Sequence, residues 1–84
     1  MESSSPKSPE AAILVLLAER DPGKTIYPSE AARVLGGEDF RPFMEPVRDA
    51  ARKLVAERRI EVTQKGEPVD IDKARGPIRL RVCL

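Results

Sequence analysis

Residues 44–84 read MEPVRDAARKLVAERRIEVTQKGEPVDIDKARGPIRLRVCL, and this stretch decides the fold. The apolar positions of its first part recur at intervals of three and four residues, which predicts an amphipathic helix that ends near Arg58 or Arg59. These positions are Met44, Val47, Ala51, Leu54 and Val55. We expect this stripe to pack on the helices of the first half of the chain.

Beyond the helix, apolar and polar residues alternate, which predicts two antiparallel strands with one buried face. The apolar positions are Ile60 and Val62, then Ile78, Leu80 and Val82. On the opposite face, Arg79 and Arg81 are expected to pair with Glu61 across the strands. The connection between the strands, residues 65–77, is thirteen residues long and exceeds the usual hairpin loop.

This long connection has its own structural signals. Gly66 and Gly76 can supply turn geometry at its two ends. Its isolated apolar residues, Val69 and Ile71, indicate that it folds back and packs against the domain. Asp70 is expected to anchor the connection through a side-chain hydrogen bond to a backbone amide.

The first half predicts two shorter helices. Ser8 is a typical N-cap and Pro9 a typical first helical residue, so the first helix should run from about Pro9 to Arg20. A β-prone segment follows it, and a second helix begins at Pro28 and ends at Gly36-Gly37. Pro42 is predicted to lie in the first turn of the third helix. We expect residues 1–8 to be disordered and residues 9–84 to form a single domain.

The resulting element order is helix, short strand, helix, helix, strand, long connection and strand. This order predicts an α+β winged helix-turn-helix fold, with three helices and a small antiparallel sheet. The third helix would be the recognition helix, and the long connection would be the wing. The segment Thr25–Tyr27 would add the third strand and cover an edge that a two-stranded hairpin leaves open.

Several parts of the chain resemble DUF3253, a family of small bacterial domains of unknown function. The resemblance covers about Ile13 to Arg81. It rests on Pro28-Ser29-Glu30-Ala31-Ala32, Val47-Arg48, Arg59-Ile60 leading to Gln64-Lys65-Gly66, and Arg75-Gly76-Pro77-Ile78-Arg79, of which the last is the most specific. The resemblance implies a winged-helix-like fold and leaves the biochemical role open.

Composition argues against several function classes. The chain has no histidine and one cysteine, Cys83, so nucleophile–base pairs, zinc sites and internal disulfides are not expected. We therefore expect no enzymatic activity and no cofactor. The longest apolar run, Ala11–Ala18, is too short to cross a membrane. The lack of a disulfide framework favours a cytoplasmic location.

Basic residues on the predicted third helix and wing suggest contacts with double-stranded DNA. Arginine can bind guanine or phosphate, and basic wings commonly touch the sugar–phosphate backbone. The candidate nucleic-acid-binding residues are Arg41, Arg48, Arg52, Lys53, Lys65 and Arg75. A regulator or accessory protein that binds DNA is thus the leading functional hypothesis.

Other readings remain open. The net charge is only +1, whereas strongly phosphate-bound proteins are usually basic. Glu45 and Asp49 lie at the centre of the outward helix face, where they would repel phosphate or simply neutralise neighbouring arginines. A protein–protein interaction module on the same scaffold is the alternative, and RNA would suit the same basic residues. The oligomeric state is left undetermined by the sequence.

Overall fold

A computed structural model of the chain describes residues 8–20 and 23–83. It has three α-helices and a four-stranded antiparallel sheet. The helices are α1 (Pro9–Ala18), α2 (Pro28–Gly36) and α3 (Met44–Ala56), and the strands are β1 (Thr25–Ile26), β2 (Ile60–Gln64), β3 (Glu67–Pro68) and β4 (Arg79–Val82). The segment predicted to be disordered lies outside the described residues, except for Ser8.

The first two helices begin as their sequences predict. The Ser8 hydroxyl accepts a hydrogen bond from the Ala11 amide at 3.1 Å, and Pro9 occupies the first turn of α1. At the start of α2, the Glu30 carboxylate accepts from the Tyr27 amide at 2.8 Å. Each contact satisfies an amide that helix geometry leaves without a partner. Helix α1 ends at Ala18, two residues before the predicted Arg20.

The third helix begins later and ends earlier than its sequence predicts. Pro42 lies in a short 3₁₀ turn, Arg41–Phe43, which leads directly into α3. At the other end, the Arg59 amide donates to the Leu54 carbonyl and the Arg58 amide to the Val55 carbonyl, both at 2.9 Å. This pair of bonds is the Schellman motif, in which the residue after the cap takes the left-handed conformation. Arg58 does so with φ = 63°.

The predicted pairing of the two main strands is confirmed, and β2 lies between β4 and β3 in the order β1-β4-β2-β3. Thr63 faces Arg79 on β4 and Pro68 on β3. Residues 65–77 are therefore not one open connection, because they contain β3. Lys65 (φ 55°) and Gly66 (φ 84°) form the tight turn between β2 and β3, as expected for a two-residue hairpin whose central residues both have positive φ.

The sheet register corrects one predicted ion pair. Glu61 faces Arg81, and its carboxylate accepts from Nη2 of Arg81 at 2.8 Å. Arg79 faces Thr63 instead, which places it two residues away from Glu61 along the sheet. Its Nη2 donates to the Tyr27 hydroxyl at 2.9 Å. The prediction that both arginines pair with Glu61 was wrong for Arg79.

After β3 the chain must pass from one side of β2 to the other to enter β4, and this crossing segment (residues 69–78) packs on the domain. Ile71 is buried in the core, and Val69 packs against it. The Asp70 carboxylate accepts from the Asp72 amide at 2.8 Å, which confirms the predicted anchor. Asp72 also accepts from Nε of Arg52 on α3 at 2.6 Å.

One aliphatic core joins the helices to the sheet. The predicted stripe of α3 contributes Val47, Ala51 and Leu54, all fully buried, while Met44 and Val55 are half-buried. Other members come from α1, α2 and the strands, namely Ala12, Ile13, Leu17, Ile26, Ala31, Ala32, Ile60, Val62 and Leu80. Within residues 8–20 and 23–83, none of the helices is long and apolar enough to cross a bilayer.

Replacing Arg58 with glycine should raise the free energy of unfolding. A left-handed non-glycine residue costs about 1–2 kcal/mol, and glycine removes that cost while adding freedom to the unfolded chain. We expect a net gain of roughly 0.5–1 kcal/mol in urea denaturation.

Arg59→Gly is the matched control, because Arg59 lies next to Arg58 but does not have a positive φ. It should lower the stability. Equal losses for the two variants would show that α3 does not end in the observed motif.

Candidate nucleic-acid interface

A concavity of about 500 Å³ lies where the β2–β3 turn, the crossing segment and the start of α2 meet. We call it the basic concavity. It is lined by Tyr27, Gln64, Lys65, Gly66, Arg75, Pro77 and Arg79. Three of these side chains are cationic, and among the described residues that line it none is acidic.

Local structure holds each cation at the edge of this concavity. The tight β2–β3 turn presents Lys65 to solvent. Gln64, the last residue of β2, uses its side-chain amide to donate to the carbonyl oxygens of Arg75 and Pro77, the latter at 3.2 Å. These bonds tie the returning chain to the end of β2. Arg75 is thereby kept beside Lys65, although the two residues are ten positions apart in sequence.

Arg79 is fixed by an aromatic side chain. Its guanidinium carbon lies 5.1 Å from the centre of the Tyr27 ring, and one of its N–H groups donates to the Tyr27 hydroxyl. A cation over an aromatic face is attracted by the ring quadrupole, yet it keeps its full positive charge. A carboxylate partner would have neutralised that charge. Arg79 is therefore oriented and still able to bind an anion.

A second, smaller concavity of about 260 Å³ adjoins the first and shares Tyr27 and Pro77 with it. Its wall includes Arg48 of α3, together with Pro28, Ser29, Met44, Gly76 and Ile78. The two concavities thus join α3 to the β2–β3 turn across one surface. We call the four basic residues of this surface, Arg48, Lys65, Arg75 and Arg79, the cationic face.

Ion pairing distinguishes the cationic face from five other basic residues. Within the described ranges, none of its four side chains forms an ion pair with a carboxylate. The paired cations lie elsewhere: Arg20 with Glu30, Arg52 with Asp49 and Asp72, Lys53 with Glu10, Arg59 with Glu57, and Arg81 with Glu61. Other described cations, namely Lys24, Arg33, Arg41, Arg58 and Lys73, do not take part in these pairs either. The cationic face is distinguished by the grouping of four such residues around two adjoining concavities.

Arg52 illustrates the difference between a paired and an unpaired arginine of α3. Its guanidinium donates to Asp72 at 2.6 Å and also to Asp49. The hydrogen bond to Asp72, aided by the charges of Asp72, Asp49 and Glu45, raises the pKa of Arg52 above its ordinary value. Arg52 thus links α3 to the crossing segment, and its charge is already shared between two carboxylates.

The structure brings together three of the six predicted nucleic-acid-binding residues. Arg48, Lys65 and Arg75 lie on the cationic face. Arg41 is exposed in the 3₁₀ turn before α3 but lines neither concavity. Lys53 contacts Glu10 of α1 at 3.2 Å, and Arg52 is paired with Asp49 and Asp72.

Sequence reasoning missed Arg79 and Tyr27. Strand alternation places Arg79 and Glu61 on the same polar face and so predicts an ion pair between them. The signal that could have separated them is the register, since only one of Arg79 and Arg81 can face Glu61 directly. Tyr27 follows β1 directly. Because β1 pairs with β4 and Ile26 faces Leu80, the next residue along comes close to Arg79.

Other chemistry has little support in the described residues. Residues 8–20 and 23–83 contain no group of three His, Cys, Asp or Glu side chains that could hold a metal ion. Cys83 is an exposed free thiol just after the last strand, and it lines neither concavity. The cationic face carries oriented cations, which can bind an anion without chemical change.

Comparison with known proteins agrees with the resemblance drawn from the sequence. No curated protein matches the chain. The family described as "Protein of unknown function (DUF3253)" matches residues 6–83, which is nearly the whole sequence. The chain therefore belongs to the DUF3253 family.

Proposed function

We propose that the protein binds double-stranded DNA through the cationic face, on a winged-helix scaffold. The observation that carries this proposal is the joining of Arg48 on α3 to Lys65, Arg75 and Arg79 around two adjoining concavities. A regulator or accessory protein of DNA is the role that such a surface suits best.

The arrangement of elements supports the winged-helix reading. Helices and strands follow in the order α1, β1, α2, α3, β2 and β4, and β4 lies between β1 and β2 in the sheet. In this reading α3 is the recognition helix, and the β2–β3 turn with the crossing segment is the wing. Arg48 belongs to the helix, and Lys65 and Arg75 belong to the wing, so both elements would contact one duplex.

The charge distribution favours contact with the phosphate backbone over reading of base edges. Asp49 is paired with Arg52, which reduces the repulsion that its carboxylate would exert on phosphate. Glu45 remains exposed in the first turn of α3, where a base-reading helix usually approaches the major groove. Backbone contacts fix position without carrying sequence information directly. We therefore propose binding with little sequence preference.

Binding to a duplex should be weak and strongly dependent on salt. If all four cations of the cationic face contact phosphates, log K should fall with log[salt] with a slope of about −3.6. Fluorescence anisotropy with a labelled duplex, from ~50 to ~200 mM salt, measures this slope.

A duplex that fails to bind at about 50 mM salt would contradict the proposal. If the protein also forms a dimer or a stable complex with another protein, the protein-interaction alternative takes its place. A single-stranded RNA and an RNA duplex of the same length test the remaining alternative, which is that the protein binds RNA.

Substitution should separate the two arginines of α3. Arg48→Gln should reduce the salt slope by about 1, because it removes one phosphate contact. Arg52→Gln should change the slope by much less, since its charge is already compensated by Asp49 and Asp72.

Arg58→Gln is the matched control for charge, because Arg58 is exposed and far from Lys65. Arg58 lies just before the start of β2, whereas Lys65 follows its end. It should leave the slope nearly unchanged. A larger effect for Arg52→Gln or Arg58→Gln than for Arg48→Gln would place the docking surface elsewhere.

A further inference from the structure

The basic concavity has the form of a small-ligand site as well as that of a docking surface. Its volume of about 500 Å³ falls within the range of pockets that enclose small organic ligands, about 300–1,000 Å³. The concavity is partly open to solvent, so part of a bound ligand would remain exposed. The space is larger than one phosphate group requires, so a bound anion could carry an organic substituent.

The lining specifies the charge of such a ligand. Lys65, Arg75 and Arg79 surround the space, and a phosphate monoester carries about −1.5 to −2 charges at neutral pH. The backbone phosphodiester carries only one charge per phosphate. Three cations with no carboxylate among the described lining residues therefore match a monoester better than a diester.

The geometry also offers directional contacts. Arg79 gives one N–H to the Tyr27 hydroxyl, and its guanidinium retains further N–H groups for bidentate contact with phosphate oxygens. The Tyr27 hydroxyl accepts from Arg79, so its own proton is available to donate to an anion. Gln64 has a different role, because its amide is used to hold the carbonyls of Arg75 and Pro77.

From these features we infer that the basic concavity binds a phosphate monoester of about nucleotide size, with Arg79, Arg75 and Lys65 as its ligands and Tyr27 as a hydroxyl donor. The site goes beyond the proposed duplex binding and does not require it. The monoester could belong to a free small molecule or to the 5′ end of a DNA strand.

Two-dimensional ¹H–¹⁵N NMR of the full chain tests this inference with AMP as the probe and adenosine as the matched control without phosphate. We expect saturable shifts of the Gly66 and Gly76 amides with AMP and none with adenosine. Arg79→Gln should weaken AMP binding about tenfold or more, the effect of losing a charge-assisted hydrogen bond.

Three further variants guard against misfolding and against general charge effects. Tyr27→Phe removes only the hydroxyl and should weaken AMP binding about two- to fivefold, the loss of one ordinary hydrogen bond. Lys65→Gln should weaken it clearly, whereas Lys73→Gln, a change of the same charge in the crossing segment but outside the concavity, should not. Equal effects of the two lysine variants, or shifts that do not saturate, would overturn the site.

A comparison of duplexes that carry a 5′-phosphate or a 5′-hydroxyl identifies the source of the phosphate monoester. Tighter binding of the phosphorylated duplex supports the strand end, and AMP binding without this preference supports a free ester. If AMP fails and the two duplexes bind equally, the monoester site is overturned while the proposed duplex binding stands. If AMP binds and no duplex does, the monoester site stands and the proposed duplex binding is overturned.

Discussion

Strand β2 is the part of the structure on which the candidate site depends, because it is hydrogen-bonded along both edges. On one edge it pairs with β4, which fixes Arg79 opposite Thr63. On the other it pairs with β3, which closes the turn that presents Lys65. Its last side chain, Gln64, ties Arg75 and Pro77 to the same place. Three cations that are distant in sequence thus converge at one end of one strand.

Ion pairs elsewhere in the molecule explain how an almost neutral chain can carry this cluster of cations. The chain is almost neutral, with a net charge of +1, so a functional basic surface requires acids to be placed where they compensate other cations. Asp49 and Asp72 compensate Arg52, Glu10 compensates Lys53, and Glu61 compensates Arg81. Arg79 is held by an aromatic ring and a hydroxyl instead. Total charge therefore says little about the local field.

Much of the fold could be predicted from the sequence, because periodicity and capping residues act locally. The buried stripe of α3, the Ser8 cap and the β2–β4 pairing all follow from such signals. The residue at which α3 ends could not be predicted, since Arg58 occupies a left-handed position that usually holds glycine. Strand β3 was missed because it has only two residues, one of them a proline, and so gives no periodic signal. The site was predicted in part, for Arg79 and Arg52 depend on register and on contacts across twenty or more residues.

The electrostatic field at the surface can be measured directly by NMR, from the relaxation that an anionic and a matched cationic spin probe each induce in backbone amides. We predict that the anionic probe relaxes the amides of Lys65, Gly66 and Gly76 more strongly than the cationic probe does, with no such excess at Arg52 and Lys53. Equal relaxation by the two probes at Gly66 and Gly76, or an excess centred on Arg52 and Lys53, would contradict the cationic face.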